Sequence, residues 1–313
     1  LRVVRGSAEL GAPLTRCVLT AGNFDGVHVG HQRIMATVTS RAKALGGTSL
    51  VYTFDPHPRR VLTPERAPKL LTTLEQKLEL LESLGVDAVV VEPFDLEFAK
   101  QGAERFVREV LHARLRPVEV YVGYDFHYGR DREGSMRTLT ELGPHLGFAV
   151  TIIPEVKLGE RDVNSTRVRE LLAEGDVGAA AELLGRSYRV RGRVKKGDQR
   201  GRTIGFPTLN LAAENEILPG VGVYACRVRF LEGDTAKWYG AVANVGRRPT
   251  VKEDDPVAVE AHLFDFASDA YERRIEVAFE HWLRGEQRFA SLAALQEQIA
   301  RDSAAARARL AAG

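Results

Sequence analysis

From Val18 to about Leu184, short apolar runs alternate with stretches whose apolar residues recur at helical spacing. Val18-Leu19-Thr20 reads as a strand; Ile34, Val38, Ala42 and Leu45 mark one face of a helix that stops at Gly46-Gly47; residues 48–53 form the next strand. The three together make a βαβ unit. A helix over 72–84, a buried strand at 88–91, a helix over 103–113 and a strand over 118–122 continue the alternation. This rhythm predicts a parallel sheet covered by helices, an α/β Rossmann-like architecture.

Beyond Gly185 the period changes to two. Tyr224, Cys226, Val228 and Phe230 alternate with Arg227 and Arg229, while Val257, Val259, Ala261 and Leu263 share one face and leave Glu260 and His262 on the other. Ile275, Val277 and Phe279 repeat the pattern. The prediction is a small antiparallel β-barrel, followed by a helix from about Ser291 that carries Leu292, Leu295, Ile299 and Leu310. The change of rhythm divides the chain into domains 1–184 and 185–313.

A length of 313 residues suits two domains, and 44% hydrophobic with 27% charged residues excludes a fibrous or disordered protein. No apolar run approaches the roughly 18 to 20 residues that span a bilayer, and the first residues lack a signal peptide's apolar core, so a cytoplasmic location is expected. Cys17 and Cys226 each sit inside an apolar strand-like run and read as small buried hydrophobes, not as a disulfide or zinc ligands. Net charge is −2 up to Leu184 and +4 beyond it, too little in either half for a nucleic-acid binder. Arg186, Arg189, Arg191, Arg193, Lys195, Lys196, Arg200 and Arg202 nevertheless crowd into seventeen residues. A small polyanion such as a nucleotide would suit that patch, with a solvated strand face accounting for at least half of it.

The segment from Gly22 to His31, Gly-Asn-Phe-Asp-Gly-Val-His-Val-Gly-His, joins the first strand to the first helix, where open parallel sheets bind ligands. A helix start offers unpaired N–H groups, and glycines at 26 and 30 let a phosphate approach the backbone. His28 and His31 add imidazoles that could stabilise charge building up at phosphorus. No Gly-x-x-x-x-Gly-Lys-Ser/Thr loop and no Gly-x-Gly-x-x-Gly after a strand occurs, which excludes a Walker-type ATPase and a dinucleotide enzyme of the usual kind.

In the second half, residues 197–210 join a Gly-rich basic loop, including Gly197, Arg202 and Gly205, to the oxygen donors Thr208 and Asn210. In an extended chain these two point the same way and could share one hard cation, an arrangement suited to ATP-Mg²⁺. Glu260 offers a carboxylate of the kind a kinase needs to take the proton of an alcohol.

The His-x-Gly-His signature resembles that of nucleotidyltransferases, and the chain as a whole resembles the prokaryotic bifunctional riboflavin kinase/FMN adenylyltransferase family. The likeness continues through Thr53-Phe54-Asp55-Pro56-His57-Pro58, Val122-Gly123-Tyr124-Asp125-Phe126-His127-Tyr128-Gly129, Ser165-Thr166-Arg167-Val168-Arg169 and Gly205-Phe206-Pro207-Thr208-Leu209-Asn210. The resemblance implies ATP contacts from Gly22, Phe24, Asp25, Gly30, Ser165, Thr166 and Arg169 in the first half, and from Gly197, Arg202, Gly205 and Thr208 in the second. It implies flavin contacts from Pro56, His57, Pro58, Asp125 and Phe126, catalytic roles for His28, His31 and Glu260, and Mg²⁺ held by Thr208 and Asn210. For His57, a rigid Pro-His-Pro turn is an equal reading. Asn164-Ser165-Thr166 stands where the family often has Ser-Ser-Thr. The Asn244–Thr250 loop and Arg284 also match family segments and receive no individual chemistry.

The implied substrates are riboflavin, FMN and ATP, with no nucleic acid, membrane or obligate protein partner. Two rivals remain: nucleotidyl transfer to another acceptor, which leaves Gly-Phe-Pro-Thr-x-Asn and Glu260 unexplained, and an RNA-binding or flavin-sensing barrel. Against the second, no aromatic residues interleave with the basic patch as stacking on RNA requires.

Overall fold

The computed structural model describes residues 1–196, 205–247 and 257–311. Six strands, β1 (Arg2–Arg5), β2 (Cys17–Ala21), β3 (Ser49–Asp55), β4 (Ala88–Pro93), β5 (Pro117–Gly123) and β6 (Ala149–Ile153), form one sheet. Their order is β1-β4-β3-β2-β5-β6, and every neighbouring pair is parallel. The central strands are apolar on both sides because both faces are covered. Leu19, Leu50, Val90 and Val120 join one core layer, and Val18, Val51, Val89 and Tyr121 the other. The edge strands β1 and β6 are mostly exposed, although β6, Ala149-Val150-Thr151-Ile152-Ile153, is apolar at four of its five positions. The chain winds outward from β2 through β3 to β4 and then returns to place β5 on the other side of β2, so the order reverses between β2 and β5.

Helix α1 (Val29–Leu45) follows β2 and ends at Gly46, whose φ of 59° is left-handed. Helix α2 (Pro58–Leu62) follows β3, and α3 (Leu74–Ser83) begins with a capping box in which Thr73 and Gln76 satisfy each other's backbone N–H. Helix α4 (Phe106–Leu115), expected as an ordinary α-helix, is wound in the wider π form. Its buried residues Phe106 and Leu111, and Val110 and Leu115, are five apart, and Arg116 N–H closes the helix on Leu111 O at 2.8 Å. Helix α5 (Met136–His145) precedes β6.

The second half holds helices α6 (Ser165–Glu174) and α7 (Val177–Leu184), then strands β7 (Tyr188–Lys195), β8 (Leu209–Ala213), β9 (Gly222–Phe230), β10 (Trp238–Arg247), β11 (Val257–Leu263) and β12 (Arg274–Arg284), and finally α8 (Leu292–Ala311). The strands close into an antiparallel barrel in the order β7-β8-β11-β10-β9-β12. Tyr224, Cys226, Val228, Val259, Ala261, Val277 and Phe279 are buried, as the alternation predicts. Both cysteines are free and buried. Helix α8 packs Ala306 and Leu310 against Val223, Ala225, Val242 and Phe264. Leu292, expected on that apolar face, is instead 60% exposed, because the contact is made by the far end of the helix.

The basic run before the barrel's first loop is divided: Arg191 turns inward, Arg186 and Arg189 are half-buried, and Arg193, Lys195 and Lys196 stay exposed. Arg191 Nε lies 2.7 Å from Glu276 Oε1, Arg229 Nη2 is 2.7 Å and Arg189 Nη1 3.4 Å from Glu276 Oε2, and Arg191 and Glu276 are both buried. Lys195 pairs with Glu272 at 3.0 Å. Arg189 and Arg191 are thus engaged by Glu276, which leaves Arg193, Lys195 and Lys196 as the exposed basic residues of the described part of this run.

By contacts the chain forms two compact units, Leu1–Asn164 and Ser165–Gly313, which groups α6 and α7 with the barrel, while the change of hydrophobic rhythm stays at Gly185. The reason lies in α6. Leu172 O accepts the Gly220 N–H at 2.7 Å, and Gly175 lies so close to Trp282 that a Cβ there would stand 2.8 Å from Cζ3. Both helices therefore belong with the barrel although their hydrophobic rhythm continues that of the first half.

Candidate active sites

The first site grows from the turn between β2 and α1, at the carboxyl edge where the strand order reverses. Phe24, Gly26 and Val27 all take left-handed backbone conformations, with φ of 47°, 78° and 42°. Glycine does this freely, whereas phenylalanine and the β-branched valine do so only under constraint, a mark of functional turns. Gly22 leaves room for the Phe24 ring, since a Cβ there would lie 2.9 Å from Cζ. Phe24 in turn meets the His31 ring edge-on, with centroids 5.2 Å apart.

His28 caps α1, and its Nδ1 accepts the His31 N–H at 3.3 Å. The capping role does not compete with a chemical one: with Nδ1 accepting, the proton of the neutral ring sits on Nε2 and can be donated. The two imidazoles lie parallel, centroids 3.5 Å apart. Gly30 permits this, because a Cβ at position 30 would stand 3.1 Å from both Cε1 and Nδ1 of His28. The glycine expected to admit a phosphate thus first admits a histidine. His31 Nδ1 is buried with no hydrogen-bond partner among the described residues. Burial and the neighbouring His28 and Lys77 push the His31 pKa well below the ordinary imidazole range.

Asp25, expected as an ATP contact, turns into the protein at 4% exposure. Its carboxylate accepts the Leu71 N–H at 3.0 and 3.1 Å and the Thr72 N–H at 3.3 Å, which makes it a brace for the turn. Lys77, which sequence reasoning missed, is buried on α3 and donates from Nζ to Asn23 O at 2.8 Å.

The flavin candidates lie on the neighbouring strand ends. Pro56, His57 and Pro58 follow β3, and His57 Nδ1 accepts the Arg59 N–H at 3.2 Å to cap α2, which realises the turn reading of that motif. Asp125 is exposed just past β5, and Phe126 stacks on Tyr128 with centroids 5.4 Å apart. Ser165, Thr166 and Arg169 open α6 and belong to the second unit, and His28 and His31 belong to the first.

The second site is set by strand register. Asn210 on β8 stands opposite Glu260 on β11, and Glu260 stands opposite Asn244 on β10, so the three form one row across the barrel surface. All three side chains are partly exposed. Thr208 lies two residues before Asn210, and the stretch ahead of it is fastened by His262. That ring's Nδ1 is 2.9 Å from Pro207 O and its face meets Phe206 at 5.4 Å. The alternation of β11 already put His262 beside Glu260, but not its partner. Gly205 has a φ of 84°. A Cβ on Gly246 would run into Glu286 Oε1, so that carboxylate also reaches this end of β10. Arg284 clasps Asp302 of α8, with Nε 3.0 Å from Oδ1 and Nη2 2.7 Å from Oδ2, which gives the residue a structural task. Gly197, Arg202 and the 248–250 part of the Asn244–Thr250 loop lie outside the described residues. Among the described residues no helix is long and apolar enough to cross a membrane.

Known proteins match both halves. The FAD synthetase family model matches residues 12–167 and the riboflavin kinase family model residues 184–310. The bifunctional riboflavin kinase/FMN adenylyltransferase of Pseudomonas fluorescens is 43% identical over 308 residues, covering 98% of this chain and 97% of its own. Those of Escherichia coli K12 and Bacillus subtilis are 40% and 36% identical, covering 98% and 92% of this chain and 97% and 90% of their own. A crystallised Streptococcus pneumoniae chain, described as a macrolide-efflux protein, superposes with a TM-score of 0.87 at 26% identity and covers 98% of this chain and 99% of its own. With both domains matched in order and full-length relatives well above 30% identity, the chain belongs to the bifunctional riboflavin kinase/FMN adenylyltransferase family.

Proposed function

We propose that the chain phosphorylates riboflavin to FMN in its barrel unit and adenylylates FMN to FAD in its parallel-sheet unit, with ATP as donor in both steps and pyrophosphate released in the second. The observation that carries this reading is that each unit bears its own complete motif, His-x-Gly-His at the sheet's switch point and the Asn210–Glu260 row on the barrel. The efflux description stays with the Streptococcus chain, since both family models and the curated relatives agree on flavin nucleotides.

In the barrel, Glu260 takes the proton of the ribityl 5′-hydroxyl while that oxygen attacks the γ-phosphorus in line. Thr208 and Asn210 offer neutral oxygens beside the Glu260 carboxylate, a donor set that suits a hard cation. No group of three or more His, Cys, Asp or Glu side chains among the described residues forms a cage of its own. Mg²⁺ bound there with ATP would neutralise the phosphate charge. Gly197, Arg202 and Gly205 serve the ATP side of this site.

In the first unit the attacking FMN phosphate is already an anion, so positioning and charge stabilisation dominate and no strong base is needed. His28, through Nε2–H, and His31 act on the α-phosphate, and Gly22, Phe24 and Gly30 shape their turn. Asp25 braces that turn through the Leu71 and Thr72 backbone. Pro56, His57, Pro58, Asp125 and Phe126 line the flavin side.

Incubation with riboflavin, Mg²⁺ and ATP, followed by chromatography of the flavins, tests the scheme. Parent enzyme should yield FMN and then FAD, and His28→Ala or His31→Ala should stop at FMN. FAD formed at the parent rate by either variant would remove that histidine from the mechanism.

A further inference from the structure

We propose that Lys77 is a positioning residue for adenylyl transfer: its buried ammonium holds the Asn23 carbonyl and, through it, the turn that carries His28 and His31. The inference rests on the reading of that turn as the adenylyl-transfer site.

Lys77 is 8% exposed and lies on the side of α3 that also carries Leu74, Leu78 and Leu81, where a lysine has no place by polarity alone. A buried ammonium is costly unless the fold supplies acceptors and opposite charge. Here its Nζ donates to Asn23 O at 2.8 Å; burial lowers its pKa from the ordinary lysine value, and the carboxylates of Asp25 and Asp55 offset part of that fall. Thr53 Oγ1 donates to the same Asn23 oxygen at 3.3 Å. One carbonyl is thus held from α3 and from β3 at once.

That carbonyl immediately precedes the left-handed residues Phe24, Gly26 and Val27. Two of these disfavour the conformation, so contacts from outside must hold it. The Asp25 carboxylate fixes one part of the turn to Leu71 and Thr72, and Lys77 fixes its start. Phe24, next in the chain, braces the His31 ring. Loosening Asn23 therefore displaces Phe24 first and His31 with it. Lys77 donates a hydrogen bond to neither ring; its charge bears on His31 from nearby, and its hydrogen bond holds the turn that carries both rings.

The test is Lys77→Met, with FAD formation from supplied FMN and FMN formation from riboflavin measured separately. A displacement of about 1 Å at a reacting group costs up to roughly 10²-fold, so FAD formation should fall about tenfold to a hundredfold, in kcat more than in KM for ATP. FMN formation, in the other unit, should stay at the parent rate. Thr53→Val, which removes the second donor to Asn23, should lower FAD formation in the same direction, and it decides the matter should Lys77→Met not fold. Parent-rate FAD formation by a folded Lys77→Met or by Thr53→Val overturns the proposal. If the parent makes no FAD, or His31→Ala still does, the reading of the site has failed instead.

Discussion

The imidazoles of His28 and His31 lie parallel 3.5 Å apart over a residue that has no side chain. Position 30 belongs to the first turn of α1, where alanine would ordinarily favour the helix by up to about 1 kcal/mol relative to glycine. A Cβ there nevertheless meets the His28 ring at 3.1 Å. Gly30→Ala should therefore leave thermal stability unchanged or raised, while FAD formation falls about tenfold or more through the displaced ring. Equal loss of stability and activity would mean that the glycine serves folding and not the histidine.

The lowered proton affinity of His31 carries a stability signature. Burial, then His28 and Lys77, hold its pKa well below 6.5, and Phe24 adds only an apolar edge. The folded chain therefore binds fewer protons at this group than the unfolded chain does. Its stability is full above the unfolded value and falls as pH drops from about 6.5 toward the folded value. The melting temperature of the first unit should fall over that window, and His31→Gln should flatten the fall. Parallel profiles for the two proteins would show that His31 titrates normally.

How much of this was legible in the sequence depended on whether the signal was local. Val18-Leu19-Thr20, Ala88-Val89-Val90-Val91 and the alternation of Tyr224 to Phe230 are buried as their patterns demand, because each run carries its whole signal in a few residues. β1 escaped because only Val3 and Val4 stand between two arginines, whereas β6, Ala149-Val150-Thr151-Ile152-Ile153, carried an apolar strand signal that was legible. The task of Asp25 was hidden because its partners, Leu71 and Thr72, come from a distant segment. Lys77 did leave a trace: it interrupts the apolar face of α3 between Leu74 and Leu78, and a charge placed there should prompt the question of what it reaches. His262 was visible beside Glu260, but its contact with Pro207 is made across the barrel wall by strand pairing.

The two helices before the barrel supply a prediction about fragments. Val168, Leu171, Leu172, Val177, Ala180, Leu183 and Leu184 are buried, and large apolar side chains of this kind are each worth about 1.5 to 3 kcal/mol. A fragment beginning at Ser165 should fold and convert riboflavin to FMN. One beginning at Gly185, where the kinase motif set starts, loses the Gly175–Trp282 packing and the Leu172–Gly220 hydrogen bond, and should melt at clearly lower temperature or aggregate. Identical melting of the two fragments would show that α6 and α7 add nothing to the barrel.

Glu260 stands opposite Asn210 on one side and Asn244 on the other, so its carboxylate lies next to the oxygens proposed to hold Mg²⁺-ATP. Glu260→Gln keeps the size and most of the hydrogen bonding and removes only the proton acceptor, and general-base contributions are typically about 10² to 10⁴-fold. FMN formation should fall by that amount with little change in riboflavin affinity. FAD formation from supplied FMN, in the other unit, should be unaffected. Thr208→Ala and Asn210→Ala should instead raise the Mg²⁺-ATP concentration required, and His262→Ala should share that phenotype because the ring fastens Pro207 just ahead of Thr208. His262→Asn, which keeps a donor, should recover part of the loss. Single-turnover phosphorylation by Glu260→Gln within about threefold of the parent would set it well outside the general-base range and send the proton of the ribityl hydroxyl to solvent or to the phosphate itself.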